Sequence, residues 1–106
     1  MKNPIENLNK IFDSRIRLGI MSSLMVNEDL NFNQLKEIID VTDGNLASHI
    51  KTLEENEYIK VQKGFIGRKT NTTYMVTKAG EKAFKQHLEG LENDQINRVN
   101  FFLNAL

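Results

Sequence analysis

Cysteine is absent from this chain of 106 residues, and Pro4 is its single proline. Without thiols, disulfide frameworks, thiolate nucleophiles and Cys-ligated zinc, iron–sulfur or arsenic sites are excluded. Long apolar runs are missing too. The longest are three residues, among them Leu24 to Val26 and Phe101 to Leu103, far short of the roughly 18 to 20 that span a bilayer. The N-terminal MKNPIENLNK has no secretory apolar stretch, so the expected address is the cytoplasm, with no membrane partner. Charge of one sign is not in excess: 14 Lys plus Arg face 14 Asp plus Glu, so net charge gives no argument for a polyanionic partner and charge placement must decide. A Gly-rich phosphate loop, a nucleophile motif and paired carboxylates in an evident cleft are also lacking, which leaves an enzyme as the least favoured class.

What is present is enough for one ordinary domain, because 40% of the residues are hydrophobic and 26% charged. Ser14 can cap a helix over about 15 to 26, with Ile16, Ile20 and Leu24 spaced by four and Gly19 allowing a close neighbour. Asn31 can cap a second helix, about 32 to 39, whose apolar residues are Phe32, Leu35, Ile38 and Ile39. Thr42 can cap a third from Asp43 to about Glu55, Asp43 suiting the positive end of the helix dipole. From Tyr58 the period becomes two, through Ile59 and Val61 and again through Tyr74 and Val76. Gly64 and Gly67 fall between these strands, so the expectation is a hairpin with a long tip. Thr77 caps a fourth helix through about Leu91. The apolar stripe then shifts register at Ile96, which predicts a break near Asn93 and Asp94. Helix, helix, helix, hairpin, helix describes a mostly α fold with a small β-hairpin wing, an α+β winged helix-turn-helix over 1–106.

The third helix can be read by angle. With Leu46 at 0°, Ile50 and Leu53 lie within roughly 40° of it, a narrow core stripe. Gly44, Ser48, Lys51 and Glu55 then lie roughly 140° to 200° away, flanked by Asn45 and Thr52. A small, hydrogen-bonding face suits the major groove of DNA: Asn pairs with adenine edges, Lys with guanine or phosphate, Ser and Thr with several edges or phosphates. Any solvated helix face is polar, so local charge is the stronger signal. From Tyr58 to Thr73 there are four basic residues, Lys60, Lys63, Arg68 and Lys69, and no acidic ones. The hairpin is a positive finger, and the Thr and Asn side chains of GRKTNTT, including Thr70 and Asn71, can bond sugar and phosphate. An arginine there suits a minor groove. The bland reading is an ordinary hairpin whose lysines prevent edge aggregation.

These residues resemble the compact single-domain members of the MarR-like and ArsR-like winged-helix regulators of bacteria and archaea. The resemblance runs from about Asp13 to Leu91. Its most specific stretches are TDGNLASHIKTLEE at 42–55, GFIGRKTNTTYMVT at 64–77 and KAG at 78–80. It implies a dimeric DNA-binding transcription regulator, by default a repressor, whose helix at 43–55 enters the major groove, a role carried over to Asn45, Ser48 and Lys51; Thr42, Gly44 and Thr52 are further candidates from the residues themselves. The wing at 64–72 would touch the backbone or minor groove through Arg68 and Lys69, with Lys63, Thr70 and Asn71 as further candidates from local charge and hydrogen-bonding capacity. Where such regulators often carry Gly between the helices and before the first strand, this chain has Asp40 and Glu57. Asp40 tolerates a left-handed turn, and Asn56 is the expected left-handed cap.

The termini offer more apolar residues than a small core needs. Ile5, Leu8 and Phe12 within 1–13, and Phe84, Leu88, Leu91, Ile96, Val99, Phe102 and Leu103 within 78–106, predict a homodimer built by both ends around a core at 14–77. The alternative is that these pieces fold back on their own subunit. His49 and His87, the two histidines, read as packed or hydrogen-bonded rather than as ligands. No metal or cofactor is expected, and an unknown small-molecule effector stays open. The rival reading is a winged-helix module that binds another protein and not DNA.

Overall fold

The computed structural model describes the backbone of residues 8–105 and the side chains of residues 8–92. A 3-10 turn, Lys10–Phe12, leads into α1 (Arg15–Val26), β1 (Leu30–Asn31), α2 (Phe32–Ile39), α3 (Asp43–Glu55), β2 (Ile59–Ile66), β3 (Lys69–Val76) and α4 (Lys78–Ala105). The strands form one antiparallel sheet in the order β1-β3-β2. This is the winged helix-turn-helix arrangement expected from the sequence.

Each helix starts where its cap dictates. Ser14 Oγ accepts the N–H of Arg17, Asn31 Oδ1 that of Gln34, and Thr42 Oγ1 that of Asn45. Gln34 Oε1 accepts the Asn31 N–H in return, closing a capping box. Asp40 carries the left-handed turn between α2 and α3 at φ 55. At the end of α3 the left-handed residue is Glu57, φ 60, and not Asn56 as expected, whose φ is −89. Tyr58 N–H donates to Leu53 O and Glu57 N–H to Glu54 O, a Schellman closure whose geometry places the positive φ one residue beyond the cap.

The core joins Ile20, Met21 and Leu24 of α1, Leu35 of α2, Leu46, Ile50 and Leu53 of α3, Leu30, Ile59 and Phe84. Phe12 completes it, with its ring 5.4 Å from Tyr58 and edge-on to Phe84 at 5.5 Å. Two expected interface residues are therefore corrected. Phe12 and Phe84 are 1% and 4% exposed, spent on the chain's own core and unable to reach a partner. Leu8 is half-buried beside them, whereas Leu88 and Leu91 remain exposed. Ile5 lies outside the described residues, as do the side chains of Ile96, Val99, Phe102 and Leu103. Ile38, one of the apolar residues of α2, is also exposed.

Two further expectations change, and one strand is new. The hairpin has a two-residue turn, Gly67 and Arg68, rather than a long tip, because Gly64 to Ile66 pair with Lys69 to Asn71. Gly67 at φ 63 supplies the positive φ that such a tight turn requires. β1, a two-residue strand too short to show a period, was not anticipated. Helix α4 runs unbroken through Asn93 and Asp94, since each costs under about 0.7 kcal/mol in helix propensity and neither removes a backbone donor.

Two histidines tie elements together. His87, 6% exposed, accepts the backbone N–H of Asn9 at Nδ1, 3.0 Å away, pinning the N-terminal turn to α4. His49 Nδ1 lies 2.9 Å from Arg17 Nη1, and Arg17 Nε donates to the Ile11 carbonyl. Burial lowers the pKa of both, with the Arg17 charge adding to the effect at His49 and Asp13 opposing it at His87. A histidine held below its ordinary value takes up its proton more readily when unfolded. Stability should therefore be level above about pH 6.5 and decline as pH falls from there through the lower native values. Thermal unfolding between pH 7.5 and 5 checks this; the His49→Gln, His87→Gln double variant should lose the decline between about pH 6.5 and 5.

Candidate nucleic-acid interface

Burying Leu46, Ile50 and Leu53 fixes the rotation of α3 and turns the opposite face outward. Gly44, Asn45, Ser48 and Lys51 all lie exposed on that side, as the angular reading expects, and nothing lies within 4 Å of where a Gly44 side chain would begin. The two threonines at its margins are partly engaged. Thr42 Oγ1 serves the N-cap, and the half-buried Thr52 donates its hydroxyl to Ser48 O at 3.2 Å. Lys51 Nζ stands 4.0 Å from Glu55, both side chains well exposed, a pair weak enough for Lys51 to exchange for a phosphate.

The sequence reading missed Lys36. Its Nζ lies 2.6 Å from Asp43 Oδ1 across the turn between α2 and α3, neutralising the one acid in the first turn of α3. The spacing Lys36 to Asp43 around a tight turn was the available signal. This pairing leaves the α3 N-terminus free of net repulsion for a phosphate.

The wing rises beside this helix. Lys60, Lys63, Arg68, Lys69 and Thr70 are exposed and Asn71 is half-buried. The ion pairs among the described residues are Lys36–Asp43, Lys51–Glu55 and Lys85–Glu81, so all four wing cations are without an intrachain partner there. Four unneutralised cations on one ribbon make a local positive potential that the neutral composition conceals. Among the described residues there is also no group of three or more His, Asp or Glu placed to hold a metal, and no helix long and apolar enough to cross a membrane.

The outward face of α3, the short α2–α3 turn and the basic two-stranded ribbon define a helix-turn-helix protein with a wing. The chain belongs to the winged helix DNA-binding domain family, which matches residues 16–94, a family of DNA-binding regulators rather than enzymes. A protein of Methanocaldococcus jannaschii that has not been characterised is 39% identical over 79 residues, 74% of this chain and 86% of its own length. Among solved structures, the transcriptional regulator homologue of Pyrococcus horikoshii is 34% identical with a TM-score of 0.72, covering 87% of this chain and 96% of that one. Bacillus subtilis PadR, solved in complex with operator DNA, shares the fold at 14% identity and a TM-score of 0.63, over 71% of this chain and 47% of PadR.

Proposed function

We propose that this chain is a sequence-specific double-stranded DNA-binding transcription regulator of MarR-like type, acting as a homodimeric repressor in the cytoplasm of a bacterial or archaeal cell. The observation that carries this reading is the combination of an exposed, small, hydrogen-bonding face on α3 with a wing whose four cations have no intrachain counter-ion among the described residues. In the proposed complex Asn45 and Ser48 face base edges in the major groove and Lys51 meets a phosphate at its edge, with Gly44 letting the backbone approach and Thr42 and Thr52 at the margins. Lys63, Arg68, Lys69, Thr70 and Asn71 meet the adjoining backbone or minor groove. The PadR–operator complex and the regulator homologue of P. horikoshii support the reading by analogy.

A monomer offers one reading head, and two-fold operators need two. In this account residues 14–77 form the reading core, while 1–13 and 78–106 carry the dimer, with Leu88 and Leu91 the exposed apolar anchors. A cavity of about 400 Å³ lined by Leu8, Phe12, Leu18, His87 and Leu91 lies beside them, and gives an organic effector a place to act on the same contact.

The test is base preference. Asn45→Ala and Ser48→Ala should each reduce discrimination among duplexes by about 1–3 kcal/mol at the contacted position while leaving non-specific binding nearly intact. Competition titrations against a selected duplex and its single-base variants measure this. Unchanged preference in both variants would refute the base-reading assignment.

A further inference from the structure

The wing carries a feature that phosphate contact does not use. Phe65 and Ile66, immediately before the Gly67–Arg68 turn, are 74% and 69% exposed. Strand pairing puts them on opposite faces of the ribbon. Phe65 faces the same side as its partner Thr70, continuing the row of Ile59, Val61 and Lys63, whereas Ile66 pairs with Lys69 on the other side. The row leaves the core along the way: Ile59 is buried, Val61 half-buried and Phe65 open to solvent. Single exposed apolar residues need no explanation. Two adjacent ones at the far end of a ribbon, beside Arg68 and Lys69 and with no acid between Tyr58 and Thr73, form an apolar tip inside a positive field.

Charge complementarity selects the occupant. A basic ribbon with an apolar end matches a groove whose rim is phosphate and whose interior offers deoxyribose carbons and stacked bases. A protein partner with an apolar socket would need an acidic rim of its own. Side chains such as Phe and Ile inserted from the minor groove partly unstack a base step and kink the duplex. Arg68 at the turn would reach the narrow groove beside them.

We propose that Phe65 and Ile66 act as an apolar wedge with which the wing enters the DNA minor groove and bends the duplex. This rests on the reading of the chain as a DNA-binding regulator. The wedge adds affinity without neutralising phosphate, so its removal leaves the salt dependence of binding intact, which separates it from the wing cations.

The experiment uses the full chain on a duplex of about 30 base pairs recovered from a random-sequence pool, end-labelled for energy transfer. Wild type should raise the transfer efficiency, reporting a bend. The Phe65→Ala, Ile66→Ala double variant should bind about tenfold more weakly, a loss of about 1.4 kcal/mol. It should keep the wild-type slope of log affinity against log salt and lose the bend, whereas Phe65→Leu should retain part of it. Both residues lie outside the core, so an unchanged thermal midpoint verifies that the variants fold. Equal affinity and bending in wild type and double variant would overturn the wedge while leaving DNA binding in place. A salt slope that falls with the double variant would also overturn it, by showing that the pair merely positions Arg68 and Lys69. A wild type that binds no duplex would overturn the DNA-binding reading itself and the wedge with it.

Discussion

Gly80→Ala should destabilise the protein by about 3 kcal/mol, lowering the thermal midpoint by roughly 15 °C. A Cβ at Gly80 would stand 2.0 Å from the carbonyl oxygen of Tyr58 and 2.7 Å from its carbonyl carbon. These are backbone atoms, so no side-chain rotation relieves the contact. The carbonyl is also committed, accepting the Thr77 N–H at 3.0 Å, while Thr77 Oγ1 donates to Glu57 O and accepts from Gly80 N. The start of α4 is thus stapled to the residues that join α3 to β2, and an added methyl must part them. The gain of about 1 kcal/mol in helix propensity on replacing Gly with Ala is too small to compensate. Thermal unfolding of the single variant checks this, and a midpoint within a few degrees of wild type would contradict the close approach.

The Arg68→Ala, Lys69→Ala double variant should lose about half of the salt dependence of DNA binding. If Lys51, Lys63, Arg68 and Lys69 each neutralise one phosphate in both subunits, a dimer makes eight such contacts. The slope of log affinity against log salt is then roughly −7. Removing two cations per subunit leaves four contacts and a slope of roughly −3.6. Between 50 and 200 mM salt, wild-type affinity would fall about ten-thousandfold and that of the variant about a hundredfold. Fluorescence anisotropy titrations at several salt concentrations read this directly. Equal slopes would mean that the wing stays in solution.

The features legible in the sequence were those with a local cause. Ser14, Asn31 and Thr42 mark the starts of α1, α2 and α3, and Leu46, Ile50 and Leu53 set the rotation of α3 that exposes Asn45 and Ser48. The length of the wing was hidden because its outer half buries nothing. Beyond Val61 the strands are held by ladder hydrogen bonds, which leave no alternation of polarity to read, so Gly64 to Ile66 looked like loop. The same lack of burial hid Phe65 and Ile66, whose interest lies in being exposed on both faces of a paired ribbon. Phe12 and Phe84 misled for the opposite reason. Amphipathic spacing says that a residue is buried, but not whether its own chain or a second copy buries it; here Tyr58 and His87 close around Phe12. The tight approach of Gly80 to Tyr58 joins residues 22 apart in the chain, a contact that periodicity cannot carry.

Whether a two-fold pair of these chains reads a specific DNA sequence can be measured by selecting duplexes from a random pool with the purified full chain. Salt-sensitive binding is expected, with enrichment of an inverted repeat whose half-sites lie about 10 base pairs apart, centre to centre. No binding to any duplex even at low salt, or salt-sensitive binding with no enriched sequence, would contradict it.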